Sequence, residues 1–485
     1  MSALVKAKNE AVRVLASHMM PAFLARTSDE SLIRLTYLLE KVARTPHHRR
    51  QLRQLRELFL RKHPALELGK KILQLAPNCR KHLISNLGLN ATWLGDQKRK
   101  EFWQREGVFP PHLMVISPLM RCNLRCLGCY AGEYPRDSED PLDFAALDRI
   151  VTEAKQMGTY FITISGGEPF LRDDLLDLYE KHNDCIFLIY TNGTKIDDRV
   201  VERLARCGNA VPAISIEGWE EQTDFRRGKG VYKKVMAAMD RLREARLLFG
   251  FSATATRLNA DVYLQDEFYD FLQEKGCLFG WFFMFVPVGQ DSTMDLMVTP
   301  EQRDRLRAKT MELRRTRPIF VADFWNDGAL TDGCMSGGTL YFHVNYRGDL
   351  EPCVFIHFAQ DNILDIYRRG GHLWEVLKSP LFTKLRQVNR KDPNRLRPCC
   401  IVDHNEWLEE VIRETGAPPT HPGADDVIGR LAPQLREWAE AYRKLADPVW
   451  YDSGTYEWAK IDTRAAREMP TLEDAHMRLP SGRQH

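Results

Sequence analysis

The sequence predicts an α/β chain: a partial (β/α)6 TIM-like barrel, a helical region before it and a small α+β domain after it. Three observations carry this. Between residues 113 and 286, short apolar runs alternate about six times with amphipathic stretches, the pattern of parallel βα units. Six units fall short of the eight that close a TIM barrel. Ahead of them the periodicity is helical and the charge strongly basic; behind them the alternation changes and cysteines gather. The expected division is 1–108 basic helical, 109–315 barrel core, 316–420 cysteine-bearing domain and 421–485 helical tail.

Of 485 residues, 44% are apolar and 28% charged, which excludes global disorder. The longest nearly uncharged run, residues 277–289, is shorter than the ~20 residues a spanning helix needs. Lys8, Glu10 and Arg13 break any signal-peptide core, so a cytoplasmic protein is expected, at most peripheral to the inner face of a membrane. The net charge of +3 hides an asymmetry: residues 1–100 hold 20 Lys+Arg against 7 Asp+Glu, and the rest sums to −10. A basic arm invites an anionic partner.

Taken in order, Thr27 and Glu30 fit a capping box. Leu32, Leu35, Leu38, Leu39 and Val42 follow helical spacing, as do Leu52, Leu55, Leu58 and Phe59, with arginines on the other faces. Pro64 and Pro77 punctuate, and Pro110-Pro111 marks a boundary. Strands are then expected at 113–117, 161–165, 186–190, 211–216, 250–256 and 279–286. The intervening helices are 143–157, 171–182, 198–207, 231–245 and 264–275. Further on, 339–344 reads as a strand followed by a turn at 346–349. An amphipathic helix spans 427–445, before an aromatic segment with Trp450, Tyr451, Tyr456 and Trp458 and a frayed end.

Of 11 cysteines, Cys79, Cys185, Cys207 and Cys277 are scattered and read as small buried hydrophobes. Cys122, Cys126 and Cys129 form C-x3-C-x2-C in the loop after the first strand, where parallel α/β folds place their chemistry. Closely spaced thiolates suit an iron–sulfur cluster or zinc. A structural zinc site wants a fourth ligand, and none lies nearby in sequence.

With this spacing, the chain resembles the radical S-adenosylmethionine (radical SAM) superfamily over roughly residues 110–290. The resemblance implies a [4Fe–4S] cluster on Cys122, Cys126 and Cys129 with one iron open for S-adenosylmethionine. Ser165-Gly166-Gly167-Glu168-Pro169 resembles the GGEP motif, which implies that Glu168 receives the methionyl ammonium; a plain strand-ending turn is the other reading. Tyr130 takes the position of the aromatic near the adenine, and Thr191-Asn192-Gly193 that of TNG. Ser215-Ile-Glu217-Gly218 resembles SxDG with Glu for Asp, putting Ser215 on the ribose. Asp224-Phe-Arg-Arg227-Gly228 resembles HDxxRG with Thr223 for His, making Arg227 the contact for the methionyl carboxylate, or else a surface salt bridge. Thr254, Thr256 and Val286 are weaker nucleoside candidates.

A second set follows. Cys334 and Cys353 enclose Gly348 as C-x13-G-x4-C, where the glycine suits a hairpin returning one thiol to the other. With Cys399-Cys400 this resembles the SPASM or twitch auxiliary-cluster domain. Four cysteines imply one auxiliary [4Fe–4S] cluster. Adjacent residues reach one cube poorly, so Cys399 is favoured over Cys400, with Asp403, His404 or substrate completing the set; zinc is the alternative. His343 and His357 read as structural.

The expected function is a radical SAM oxidoreductase acting on an unactivated C–H bond, with an external flavodoxin- or ferredoxin-type donor, and a lipid or other hydrophobic molecule as one substrate class. The alternatives are a ribosomal-peptide maturase and, in another class, a non-catalytic zinc protein binding nucleic acid. The basic arm either packs on the barrel or makes a peripheral membrane contact; no nucleic-acid module is recognisable, so no nucleic-acid partner is expected.

Overall fold

The computed structural model describes residues 28–43, 46–134, 140–457 and 459–460. A nine-stranded sheet runs through it: β1 (Leu113–Ile116), β2 (Phe161–Ile164), β3 (Ile186–Thr191), β4 (Ala210–Ser215), β5 (Gly250–Ala255), β6 (Phe279–Met284), β7 (Phe320–Asp323), β8 (His343–Val344) and β9 (Leu350–Glu351). Its order is β7-β6-β5-β4-β3-β2-β1-β8-β9. Every pairing is parallel except β8 with β9.

The six expected strands are β1–β6, within two residues at each end. The expectation of six is corrected by β7 and β8, which extend the parallel sheet at its two sides. β8 has only two residues, and β7, FVAD, is broken as an apolar run by its exposed first residue and its terminal Asp323. Only His343–Val344 of the expected strand 339–344 is extended, pairing with Val115 and Ile116 of β1. The sheet order is open, and aromatic side chains pack across the opening. Trp325 lies 5.0 Å from Phe355 between ring centroids, and Phe324 lies 6.0 Å from both Tyr341 and Phe355.

The βα units form for local reasons. Asp143 caps helix Phe144–Met157, its carboxylate accepting from Ala146 N at 2.7 Å, and Asp197 does the same for helix Asp198–Cys207. Gly158 and Gly208 end these helices in the left-handed conformation. Cys79, Cys185, Cys207 and Cys277 are buried in the core, as expected.

The N-terminal helices differ from expectation in one respect. Helix Asp29–Val42 begins after Ser28, and Thr27 lies outside the described residues, as do Trp458 and the frayed end. Helices Pro46–Leu60 and Pro64–Leu73 complete a small cluster around Leu32, Phe59 and Leu66. Leu38 and Leu58, both expected on apolar faces, are exposed. A π-helix, Leu83–Leu94, ties the region to the barrel: Asn86 Nδ2 donates to the carbonyls of Asn183 (2.9 Å) and Cys185 (2.7 Å), and Asn90 Nδ2 to that of Asp184 (2.8 Å). No described helix is long and apolar enough to cross a membrane.

Candidate active site

The strand ends converge on a cavity of about 210 Å³ inside the barrel. Cys122, Cys126, Cys129, Tyr130, Gly166, Gly167, Asn192, Ser215 and Arg227 all line it, so most of the residues singled out in sequence are brought together. Thr254 and Val286 line it too. Thr256 does not: its hydroxyl donates to Asn259 Oδ1 at 2.9 Å.

The glycines hold the cysteine loop. Gly167 N donates to Leu119 O and Glu168 N to Arg121 O, both at 2.9 Å. A Cβ on Gly166, whose φ is +106°, would stand 2.3 Å from Leu119 O, and one on Gly167 would stand 2.1 Å from Arg121 O. Only glycine admits that approach. Near the sulfurs, Asn192 Nδ2 lies 3.8 Å from Cys122 Sγ and Arg227 Nη1 lies 4.0 Å from Cys126 Sγ. Burial pushes the Cys122 thiol up to about 11. Burial likewise pushes Tyr130 up to about 12, and its hydroxyl pairs with Ser165 Oγ at 2.6 Å.

Two carboxylates lie behind the lining rather than in it. Glu168 accepts from Thr191 Oγ1 (2.7 Å), Asn192 N (2.7 Å) and Phe170 N (3.1 Å), and burial raises its pKa despite these donors. Glu217 accepts from Arg226 Nη1 (2.5 Å), from Arg227 Nε (2.8 Å) and Nη2 (2.5 Å), and from Thr254 N (3.1 Å). Burial alone would raise Glu217, but the two guanidinium groups hold it below the usual carboxylate range. The Arg227 pair is therefore a buried ion pair, not a surface one. Thr223, in the place of histidine, accepts from Glu217 N at 3.1 Å.

Sequence reasoning missed Arg226, although it adjoins Arg227 on helix Glu220–Arg227. It also missed the aromatic wall. Trp281 and Phe283 alternate along β6 with the more deeply buried Phe282 and Met284, and Phe324, Tyr341 and Phe355 continue the wall. The run GWFFM is apolar throughout, so nothing in the sequence separates the rings that line the cavity from those packed behind them. Among the described lining residues none is Asp, Glu or His.

A second, smaller cavity is lined by Cys334, Cys353, Cys399 and Cys400 together. The hairpin β8–β9 turns at Gly348, whose φ is +87°, and brings Cys353 back beside Cys334 as the spacing implied. Cys399, favoured in sequence, is joined here by Cys400, whose thiol hydrogen-bonds Cys334 and holds it down to about 7. Neither expected helper is free. Asp403 is bound by Arg303 at 2.6 Å, and His404 Nε2 lies 3.0 Å from both Arg397 O and Asp392. His343 is structural, set between Ser117 Oγ (2.7 Å) and Glu351 (2.6 Å); His357 meets Tyr134 OH at 3.0 Å. Among the described residues, no three His, Cys, Asp or Glu side chains converge on a single ion-sized site.

These donor sets are soft and sulfur-only, which fits iron–sulfur ligation. Residues 116–254 match the radical SAM superfamily. An AdoMet-dependent heme synthase of Methanosarcina barkeri is 24% identical over 320 residues, 60% of this chain and 88% of its own. Mycofactocin maturase MftC of Mycolicibacterium smegmatis is 28% identical over 356 residues, 68% of this chain and 86% of the maturase. Streptococcus suis SuiB bound to S-adenosylmethionine shares the fold, with a TM-score of 0.50 at 19% identity over 69% of this chain and 87% of that one. The matched span begins at the end of β1 and takes in the cysteine loop, the glycine clasp and the Glu217–Arg227 pair; the chain carries a radical SAM superfamily domain and is a radical SAM enzyme.

Proposed function

We propose that this enzyme is an oxidoreductase with two [4Fe–4S] clusters, acting on an unactivated C–H bond of an apolar substrate. Cys122, Cys126 and Cys129 would hold the first cluster, which would supply the electron for reductive cleavage of S-adenosylmethionine and so the radical chemistry at the C–H bond. Asn192 after β3, Ser215 at the end of β4 and Arg227 at the end of the helix that follows β4 line the space the cosubstrate needs, together with Tyr130 and Gly166-Gly167. Glu168 acts from behind, fixing the backbone of Asn192. The second cluster falls to Cys334, Cys353 and one or both of Cys399 and Cys400. An external one-electron donor of the flavodoxin or ferredoxin type completes the system, and the basic N-terminal helices, with Leu38 and Leu60 exposed, are its membrane-facing element.

One observation carries this reading. A single cavity has three cysteines at one end and, at the other, an aromatic wall that also bounds the four-cysteine cavity. Its charged lining residues, Arg226 and Arg227, are already paired with Glu217, which favours an uncharged, apolar group in the remaining space. The test is iron and sulfide per chain after anaerobic reconstitution, in wild type and in a C122A/C126A/C129A variant. About eight irons falling to about four is expected. About four falling to none would remove the second cluster, and iron-free protein would overturn the reading.

A second reading has its own support. The likeness to mycofactocin maturase covers 68% of the chain, which favours the maturase alternative read from the sequence, that of a ribosomal-peptide maturase. Formation of 5′-deoxyadenosine stimulated by a small precursor peptide, and not by apolar small molecules, would select it.

A further inference from the structure

The two cavities share a wall one side chain thick. Phe324, Met335, Tyr341 and Phe355 line both. Three of the four present no donor from their side chains. The exception is Tyr341, whose ring faces the larger cavity and whose hydroxyl donates to Cys353 Sγ at 2.8 Å. Both residues are buried. The backbone of the residue is held at both its polar groups: Tyr341 N donates to Met335 O at 3.1 Å, and Gly338 N donates to Tyr341 O at 3.0 Å. A buried hydroxyl without a partner is costly, and the partner here is a sulfur. A phenylalanine would complete the wall equally well, so the hydroxyl is the part that packing does not explain.

We propose that Tyr341 is the residue that tunes the second cluster towards the substrate cavity. Its O–H···S bond to Cys353 stabilises the added negative charge of the reduced cluster and so raises its reduction potential. The inference rests on the proposed second cluster. Tyr341 touches no reacting atom; it is a positioning residue, and it makes the second cluster a better electron acceptor than its thiolates alone would.

The test uses the full chain carrying C122A/C126A/C129A, so that iron is confined to the second site, with the midpoint potential read by spectroscopically monitored titration. Tyr341→Phe is expected to keep about four irons per chain and to move the midpoint to a more negative value. Replacing Tyr341 by 3-fluorotyrosine, a stronger donor of nearly the same shape, is expected to move it the other way. Phe324→Leu, which alters the same wall without a donor, is expected to leave it in place. If Tyr341→Phe loses iron, the fluorotyrosine protein decides the matter alone. Retained iron with an unmoved midpoint in the tyrosine variants would overturn the tuning role while leaving the second cluster standing. An iron-free C122A/C126A/C129A protein would overturn the second cluster, and this inference with it.

Discussion

Glu217 is fully buried and accepts from both Arg226 and Arg227. Removing its charge leaves two guanidinium groups in a low-dielectric site with no full counter-charge, a loss of about 3–5 kcal/mol. Glu217→Gln is therefore expected to lower the urea midpoint sharply; a change under about 1 kcal/mol would mean that the pair is solvated. The pH dependence has a definite sign. The folded-state pKa lies below the ordinary value, so this stabilisation is complete above about pH 4.3 and is lost as pH falls through the folded value. Gly167 makes a second single-residue prediction. Alanine there sets a methyl group against Arg121 O, so the cysteine loop must move away from the strand ends. Gly167→Ala should lower reconstituted iron in the first site while leaving the second loaded. Full iron in both would show that the clasp is not needed for cluster retention.

Helix Pro300–Thr316 and the Cys399–Cys400 loop meet through one buried pair. Arg303 donates to Asp403 at 2.6 Å, stacks on Tyr442 with 3.9 Å from guanidinium to ring centre, and donates to Leu396 O at 3.1 Å. Asp403 in turn accepts from Cys399 N at 3.0 Å. Arg303→Met or Asp403→Asn alone should cost about 3–5 kcal/mol, and the double change much less than the sum; additive losses in a double-mutant cycle would deny the coupling. This helix also shows why part of the element map could not be read in sequence. Arg303 and Arg307 occupy buried positions, so its apolar stripe is interrupted by charge where the core begins. The βα units were legible for the opposite reason. Runs such as FITI and IFLIYT are buried and continuous, and their helices carry caps and glycine stops. Strand β7, FVAD, opens on the exposed Phe320 and ends on the buried Asp323, so it shows no continuous apolar run, and β8 has two residues, too few for a pattern. In the site, Cys122, Cys126 and Cys129 announced themselves through spacing, and Asn192 and Arg227 through the resemblance of their motifs to those of the radical SAM superfamily. Tyr341 and Phe355 did not, because only the hairpin at Gly348 and the packing across the open sheet bring them to the cavity.

Among the described residues, two apolar clusters of unequal size decide which parts of the molecule hold together, a third around Met120, Ala131, Tyr134 and Tyr346 lying beside the cysteine loop. One runs continuously from the barrel through the four-cysteine region to helix Ala432–Tyr451, joining both cavities to a single packed body. The other is a cluster with only Leu32, Phe59 and Leu66 fully withdrawn from water, under helices Asp29–Val42, Pro46–Leu60 and Pro64–Leu73. Fully burying one such side chain is worth about 1.5–3 kcal/mol, and ordering each residue costs about 1–2 kcal/mol in backbone entropy. Three buried side chains therefore hold a three-helix segment only weakly, whereas the sheet is held by the whole of the larger core. Tyr37, Leu38, Leu58 and Leu60 are exposed on the same helices, and of these Tyr37 carries the Arg56 guanidinium 3.8 Å over its ring. Local opening should follow this division. In hydrogen–deuterium exchange read by mass spectrometry, amides of residues 32–60 should exchange orders of magnitude faster than those of β1–β6, while the π-helix, tied by Asn86 and Asn90 to the barrel, stays protected with the sheet. Adding anionic lipid vesicles should slow residues 32–60 selectively if these helices are the membrane-facing element, because apolar side chains exposed in water then become buried. Equal protection of helices and sheet without lipid would refute the two-core division, and no lipid effect would leave the basic helices as a packing element of the barrel alone.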